Sequence, residues 1–158
     1  MITAWRLVRP PHDSKVNAFS GEGARLFGGR WNSPGVPVVY VSDSLALAAL
    51  ETLAHADAKR FERDYTAYKV SVPEDKVLEL GHDALPGDWR ARPVSAGARR
   101  IGDVWGAEQA SAALAVPSVI VPLERNLLLN PRHPAFGDVE IGDPIRFRFD
   151  ARLEPKGE

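Results

Sequence analysis

The alternation of apolar and polar positions in the first 60 residues predicts two short strands, a glycine-rich segment and one apolar helix. Residues 5–9 alternate and are stopped by two prolines, which predicts an opening strand. Residues 14–35 are rich in Gly, Ser and Asn, which predicts an ordered loop whose backbone can approach a ligand closely. Residues 36–42 are β-branched and aromatic and predict a second strand, followed by a helix that is capped by Asp43 or Ser44 and continues to about Lys59.

The remaining pattern predicts several further strands and one more helix. Alanine-rich residues 107–115 predict a short helix that ends near Pro117, because the residue before a proline avoids helical geometry. Strands are predicted at residues 65–72, 76–80, 118–121, 126–130 and 145–149. We therefore expect a single compact α+β domain with mostly short strands and two or three helices, a core at about 5–149 and a polar tail at 150–158.

Composition narrows the classes of function. The chain has 158 residues and no cysteine, which excludes disulfides, thiolate metal sites and cysteine nucleophiles. Its formal net charge of −1 argues against nucleic acid as the main ligand, and the basic cluster at 90–100 is interpreted as a solvated loop. We find no signal peptide and no apolar run long enough to span a bilayer, so a cytoplasmic protein is expected.

Glu51 is the residue that departs most clearly from its surroundings. Leucines and alanines occupy nearly every side of its predicted helix, and a helix that is apolar all round is a buried one. A buried ionised carboxylate costs several kcal/mol unless it is paired or used. Two interpretations follow: a buried Glu–Arg ion pair, or a catalytic carboxylate whose environment tunes its charge.

Three other residues are candidates for chemistry. Arg30 follows two glycines and precedes Trp31, so a bidentate cation lies on a glycine turn beside a flat ring and suits a phosphate or carboxylate. It is alternatively the structural partner of Glu51. Tyr40 shares a strand face with neighbouring apolar positions and either packs in the core or stacks on a ligand ring. Ser118 interrupts the apolar run AVPSVIVP, and its hydroxyl satisfies the backbone or touches a ligand.

Familiar catalytic motifs are missing from the sequence. Position 26 is leucine where a dinucleotide fingerprint needs glycine, and GxxxxGK[ST], HExxH and GxSxG do not occur. Among four scattered histidines, only His55, one turn after Glu51, has a suggestive position, as a hydrogen-bonded orienter or as a surface residue.

Four sequence motifs, in their order along the chain, resemble those of the RES domain, a family named for its Arg, Glu and Ser. They are GGRWNSPG with Arg30, VVYVS with Tyr40, LALAALETLAH with Glu51, and VPSVIVP with Ser118, the last followed by NLLLNPRHP. The resemblance extends from about residue 5 to 149. It implies a fold similar to diphtheria-toxin-like ADP-ribosyltransferases and an activity that consumes NAD.

The resemblance also implies roles for individual residues. Arg30 would hold the diphosphate or ribose side of NAD, Tyr40 would stack on the nicotinamide, Glu51 would face the nicotinamide ribose, and Ser118 would help to orient it. Further cofactor-binding candidates with weaker motif support are Arg25, Trp31, His55 and Asn126. Arg25 competes with Arg30 as the phosphate contact. NAD is the expected substrate, with no metal, because the pyridinium is already a cationic leaving group.

Several functional alternatives remain open at this stage. The expected activity is transfer of ADP-ribose to a protein, and the alternatives are an NAD glycohydrolase or phosphorylase, a non-catalytic nucleotide-binding module, or an RNA-cleaving toxin that the balanced charge disfavours. The resemblance implies an antitoxin partner with an Xre-like DNA-binding part.

Overall fold

One mixed sheet forms the centre of the fold in a computed structural model that describes residues 1–55 and 57–156. Its strands in chain order are β1 Ile2–Val8, β2 Val39–Ser42, β3 Tyr65–Val72, β4 Val77–Glu79, β5 Ala113–Pro117, β6 Arg125–Leu129, β7 Glu140–Ile141 and β8 Ile145–Phe147. Their order across the sheet is β4-β5-β6-β2-β1-β3-β7, and β8 also pairs with β3. All neighbours are antiparallel except β4 and β5, which are parallel.

Side-chain alternation along the strands creates one apolar core on each face of the sheet. On β2 and β6, Val39, Val41, Leu127 and Leu129 face the first core. That core also contains Ala18, Phe19 and, on β3, Tyr68. The intervening residues of the same strands, with Trp31 and Trp105, form the second core.

Four α-helices lie in the described residues: α1 Lys15–Ala18, α2 Glu22–Phe27, α3 Leu45–His55 and α4 Ala96–Glu108. Ser44 caps α3 by accepting a hydrogen bond from the Leu47 backbone N–H at 3.0 Å, and α3 packs against β1 and β2. Helix α4 covers the second core and approaches Trp31 so closely that a Cβ added to Gly102 would lie 1.7 Å from the Trp31 carbonyl oxygen. Glycine is therefore required at the contact between α4 and the backbone of Trp31.

The predicted α+β class is confirmed, and several predicted elements are wrong in position. The helix expected at 107–115 is replaced by the end of α4 and by β5, because residues 113–117 pair with β6 and are fully buried. The strand expected at 118–121 ends at Pro117 instead, and residues 118–121 lie outside the strands. Sheet pairing has overridden the helical preference of the alanine-rich run.

Three further differences concern helices. The helix predicted to continue to about Lys59 ends at His55, and a 3₁₀ turn follows at Ala58–Phe61; residue 56 lies outside the described residues. The glycine-rich segment 14–35 contains α1 and α2, so the described residues hold more helices than the two or three predicted. The basic cluster at 90–100 includes the first turn of α4. No helix within the described part of the chain is both long and apolar enough to cross a lipid bilayer.

Candidate functional site

The candidate site lies beside α3, where β2 and β5 end and β6 begins. Asn126 of β6 is directly opposite Ser42 of β2, and Ser118 immediately follows the last residue of β5. Since alternate residues of a strand share a face, Ser42 and Asn126 lie on the same side of the sheet as Tyr40 and the second core. Helix α3 begins three residues after β2 and brings Glu51 to the same place.

Glu51 is held by two neutral hydrogen-bond donors. The Ser118 hydroxyl and the Asn126 side-chain amide both donate to Oε1 of Glu51, each at 2.7 Å. Among the described residues, no arginine, lysine or histidine lies within ion-pair distance of Glu51. The predicted alternative of a buried Glu–Arg ion pair is therefore wrong, because serine and asparagine dipoles satisfy the carboxylate instead.

The donors on Glu51 are themselves fixed by a longer chain of hydrogen bonds. Ser42 donates to the Asn126 side-chain carbonyl at 2.7 Å, so the amide nitrogen of Asn126 faces Glu51. Ser118 is fully buried and accepts hydrogen bonds from the backbone N–H groups of Ile120 and Val121 at 3.1 and 3.0 Å. Both interpretations of the Ser118 hydroxyl hold in part, since it satisfies backbone donors and also contacts a site residue.

The two oxygens of Glu51 have different surroundings. Oε1 takes both donors, whereas Oε2 accepts no hydrogen bond from the described part of the chain. Glu51 is half-buried, and Oε2 is not among the buried polar atoms that lack a partner. The carboxylate is thus fixed through one oxygen and open through the other, which suits it to face a developing positive charge.

Arg30 lies near the carboxylate without pairing with it. Its Nη1 donates to the backbone carbonyls of Trp89 and Ala91 at 2.9 and 3.0 Å. Burial lowers the pKa of the Arg30 guanidinium and the charge of Glu51 opposes that change, so the two charges act on each other. The interpretation of Arg30 as a direct structural partner of Glu51 is wrong, because the guanidinium donates to backbone carbonyls instead.

Tyr40 fastens the turn that carries Arg30. Its hydroxyl donates to the Asn32 side-chain carbonyl at 2.6 Å and accepts from the Trp31 backbone N–H at 3.2 Å. A Cβ added to Gly29 would lie 2.7 Å from this hydroxyl, so the turn tolerates only glycine at that position without a shift. Burial raises the pKa of Tyr40, which keeps its hydroxyl protonated and able to donate. Core packing and a turn-fixing hydrogen bond thus coexist in this half-buried residue.

The other sequence-predicted residues are divided between the site and its surroundings. Asn126 directly contacts Glu51. Arg25 is paired with Glu22 through two hydrogen bonds of 2.8 and 2.5 Å within α2. Trp31 is buried in the second core and stacks on Trp89 with ring centroids 6.1 Å apart. His55 is exposed and makes no hydrogen bond to Glu51.

Two features of the site do not follow from motif reading. Ser42 orients Asn126 through a hydrogen bond, and the sequence offers one indication of this role, because Ser42 shares a strand face with Tyr40. The segment 86–94, defined here as the arginine segment because it carries Arg90 and Arg92, reaches the site through Arg30. Its sequence gives no periodic signal that would place it there.

Comparison with known proteins adds a family to this geometry. Residues 3–150 match the RES domain family model. The chain is 36% identical over 140 residues to Toxin Res of Yersinia enterocolitica, covering 88% of this chain and 92% of that protein. It is 37% identical over 153 residues to the Prs ADP-ribosylating toxin of a Sphingobium species, covering 94% of each.

A mycobacterial protein is similar in sequence over a shorter stretch and in fold over most of the chain. The NAD(+) phosphorylase MbcT of Mycobacterium tuberculosis is 39% identical over 71 residues, which cover 40% of this chain and 38% of that protein. The crystal structure of the M. tuberculosis MbcT–MbcA toxin–antitoxin complex contains a chain that matches with a TM-score of 0.74 at 24% identity. The match covers 92% of this chain and 84% of that chain, so the two share a fold.

Proposed function

Because the chain belongs to the RES domain family, we propose that it is the toxin of a toxin–antitoxin pair that breaks the nicotinamide–ribose bond of NAD and transfers ADP-ribose to a protein. The observation that carries this proposal is the state of Glu51: Oε1 is fixed by Ser118 and Asn126, and Oε2 is open. Similarity to the Prs ADP-ribosylating toxin supports a protein acceptor.

Glu51 stabilises the charge that appears when the bond breaks. The electron pair of the ribose C1–nicotinamide N1 bond leaves with neutral nicotinamide, and positive charge develops on the ribose, as in other oxocarbenium-like reactions. The open Oε2 faces that charge, and the nucleophile of the acceptor then forms the new bond to C1 and releases a proton. A fixed charge of this kind lowers the activation barrier by about 2.7–4 kcal/mol, which raises the rate roughly a hundred- to thousandfold.

Arg30 and Tyr40 act on the rest of NAD in this proposal. Arg30 lies on the glycine turn next to Glu51 and supports the diphosphate or ribose side, and the ring of Tyr40 stacks on the nicotinamide. Tyr40 supports the site in a second way, because its hydroxyl holds the turn that carries Arg30. Fold similarity to diphtheria-toxin-like ADP-ribosyltransferases remains part of the proposal.

Replacement of Glu51 by glutamine tests the catalytic role. Glutamine retains an oxygen that can accept from Ser118 and Asn126 but removes the negative charge, so the fold should survive. Nicotinamide release by Glu51→Gln should fall roughly a hundred- to thousandfold, while its thermal midpoint stays close to that of the parent. Glu108→Gln, on the exposed end of α4, is the matched control and should retain the parental rate.

The outcomes separate the functional alternatives. A Glu51→Gln variant that releases nicotinamide at the parental rate contradicts the role given to Glu51. A parental protein that never consumes NAD, in the presence or absence of bacterial lysate, contradicts the proposed enzymatic activity and favours a non-catalytic nucleotide-binding module. With labelled NAD and lysate, mass spectrometry should find ADP-ribose attached to protein.

Inorganic phosphate is the second candidate acceptor. Similarity over 71 residues to the NAD(+) phosphorylase MbcT favours it. Phosphate would attack the same ribose carbon and give ADP-ribose 1″-phosphate, whereas water would give free ADP-ribose. Chromatography of the products made with and without added phosphate distinguishes these acceptors from a protein side chain.

An antitoxin is the partner in this proposal. The fold match to the toxin chain of the MbcT–MbcA complex supports an antitoxin that binds this chain. We further propose that this antitoxin carries an Xre-like DNA-binding part and that the toxin acts in the cytoplasm. Co-expression should relieve the growth defect caused by the parental toxin, and the two proteins should elute together on gel filtration.

A further inference from the structure

The arginine segment 86–94 is fastened to the site at three points. Arg30 donates to the carbonyls of Trp89 and Ala91 at 2.9 and 3.0 Å, and Trp89 stacks on the buried Trp31. Arg90 donates through Nη2 to the Val119 carbonyl at 3.1 Å, one residue beyond Ser118. The segment therefore connects the glycine turn with the loop at residues 118–119, whose Ser118 donates a hydrogen bond to Glu51.

Arg90 and Arg92 bring positive charge to the site, and the one carboxylate of the segment, Asp88, forms no ion pair with either of them. Arg90 and Arg92 are exposed, and neither forms an ion pair with a carboxylate in residues 1–55 and 57–156. Both lie close enough to Arg30 to lower its pKa by charge repulsion, after the larger effect of burial. The charges of Glu51, Arg90 and Arg92 thus all act on the Arg30 guanidinium, in a chain whose net charge is −1.

This distribution of charge fits a phosphate group better than a carboxylate. Guanidinium groups bind phosphoryl oxygens through paired N–H donors, and two of them match the two charges of a diphosphate. The competitor Arg25 is already paired with Glu22 in α2. Nη1 of Arg30 is already bonded to two carbonyls, which leaves Arg90 and Arg92 as the cations of the segment without a carboxylate partner among the described residues.

We propose that Arg90 and Arg92 form a phosphate-binding subsite of the NAD site, and that Arg30 is the positioning residue that holds the arginine segment in place. This proposal rests on the proposed NAD-consuming function. The phosphate is either the diphosphate of NAD or the inorganic phosphate that accepts ADP-ribose. In both cases the recognised chemistry is a phosphoryl group beside the ribose that Glu51 faces.

The test uses Arg90→Gln, Arg92→Gln and the double variant, with Arg100→Gln as the matched control. Arg100 is an exposed arginine on α4, so its loss removes an equal charge. If NAD supplies the phosphate, each single change should raise the KM for NAD about tenfold, and the double change should raise it further, with little change in kcat. Nicotinamide riboside, which has no phosphate, should be cleaved equally by the parent and the double variant.

If inorganic phosphate is the ligand, the double change should raise the KM for phosphate and leave the KM for NAD unchanged. A double variant whose KM values for both ligands equal those of Arg100→Gln overturns the subsite. Failure of the proposed function is a separate outcome, because the parental protein would then release no nicotinamide at all.

The positioning role of Arg30 has its own readout. Arg30→Gln should raise the KM that the double variant raises. Combining Arg30→Gln with the double variant should add little, because both disrupt the same phosphate-binding arrangement of Arg90 and Arg92. Trypsin should also cut the Arg30→Gln variant faster after Arg90, because the carbonyl contacts of Trp89 and Ala91 are lost. Additive effects on KM, or parental resistance to trypsin, would contradict this role.

Discussion

Asn126 offers a sharp test of how the carboxylate is held, because aspartate has nearly the same shape. In Asn126→Asp, one side-chain oxygen can still accept from Ser42, but the amide that donates to Glu51 becomes a second carboxylate oxygen. The oxygen would lie where the amide nitrogen now stands, 2.7 Å from Oε1 of Glu51. The change therefore replaces an attraction by a repulsion and leaves the volume unchanged.

The magnitude follows from the contact that is lost. A hydrogen bond to a charged group contributes about 1.5–3 kcal/mol, which corresponds to a loss of roughly 10- to 150-fold in rate if the bond orients Glu51 in the transition state. Two full charges about 4 Å apart repel by about 4 kcal/mol near a protein surface, so the pair retains one proton between them. The nearby charge of Arg30 opposes this repulsion in part.

The retained proton predicts a pH dependence for the rate of this variant relative to the parent. When the introduced aspartate and Glu51 share one proton, the protonated group can donate to the other and restore the lost bond. That proton is lost as the pH rises, so the rate relative to the parent, measured between about pH 5 and pH 8, should fall with increasing pH. Asn126→Leu, which cannot ionise, should be slow by a factor that does not vary with pH.

The assay is the initial rate of nicotinamide release at saturating NAD across this pH range. Circular dichroism at each pH confirms that the variants remain folded. Rates for Asn126→Asp within about threefold of the parent at every pH would refute the reasoning, because Asn126 would then have no control over Glu51. A loss that is identical for aspartate and leucine at every pH would refute the shared proton.

Two changes outside the reacting centre test the scaffold. Gly102→Ala should lower the free energy of unfolding by about 3 kcal/mol or more in urea denaturation, because its Cβ would lie 1.7 Å from the Trp31 carbonyl oxygen, whereas Gly23→Ala, with no atom within 4 Å, should not destabilise the protein. An unchanged midpoint for Gly102→Ala would contradict the close approach of α4. Tyr40→Phe should lower the free energy of unfolding by about 1–3 kcal/mol at neutral pH, because two hydrogen bonds are lost. The raised pKa of Tyr40 stabilises the protonated fold, and that contribution is lost as the pH rises through the folded pKa, so the difference from Tyr40→Phe should shrink above about pH 10. A difference that stays constant with pH would contradict this assignment.

Elements whose pattern is local and regular are the ones that the sequence predicts well. Strand β3 at residues 65–72 and the apolar start of α3 follow directly from alternation and capping. Helix α4 is missed because three glycines in residues 96–108 give it a weak helical signal. Its stability comes from packing of Trp105 and Gly102 against the second core, which no local pattern encodes.

The candidate site shows the same division between local and tertiary information. Glu51 is predicted because one charge in an apolar helix is visible in the sequence itself. Ser118 is a candidate because it interrupts an apolar run, and Asn126 is a candidate only through the family resemblance. Their contact with Glu51 is not predicted, since they are 67 and 75 residues away and meet it only through the pairing of β5, β6 and β2. Arg90 is interpreted from sequence as a solvated side chain for the same reason, although it bonds the loop beside Ser118.

The choice of partners explains why this carboxylate is suited to its proposed task. An arginine in direct contact would satisfy Glu51 but would also cancel the negative charge that a ribosyl cation needs. Ser118 and Asn126 are neutral, so their dipoles stabilise the carboxylate and leave its net charge intact. Asn126 lies on β6 and Ser118 directly follows β5, whereas Glu51 comes from α3, so the orientation of the charge depends on the packing of α3 against β1 and β2. The free energy that holds this helix on the sheet therefore also preorganises the reacting centre.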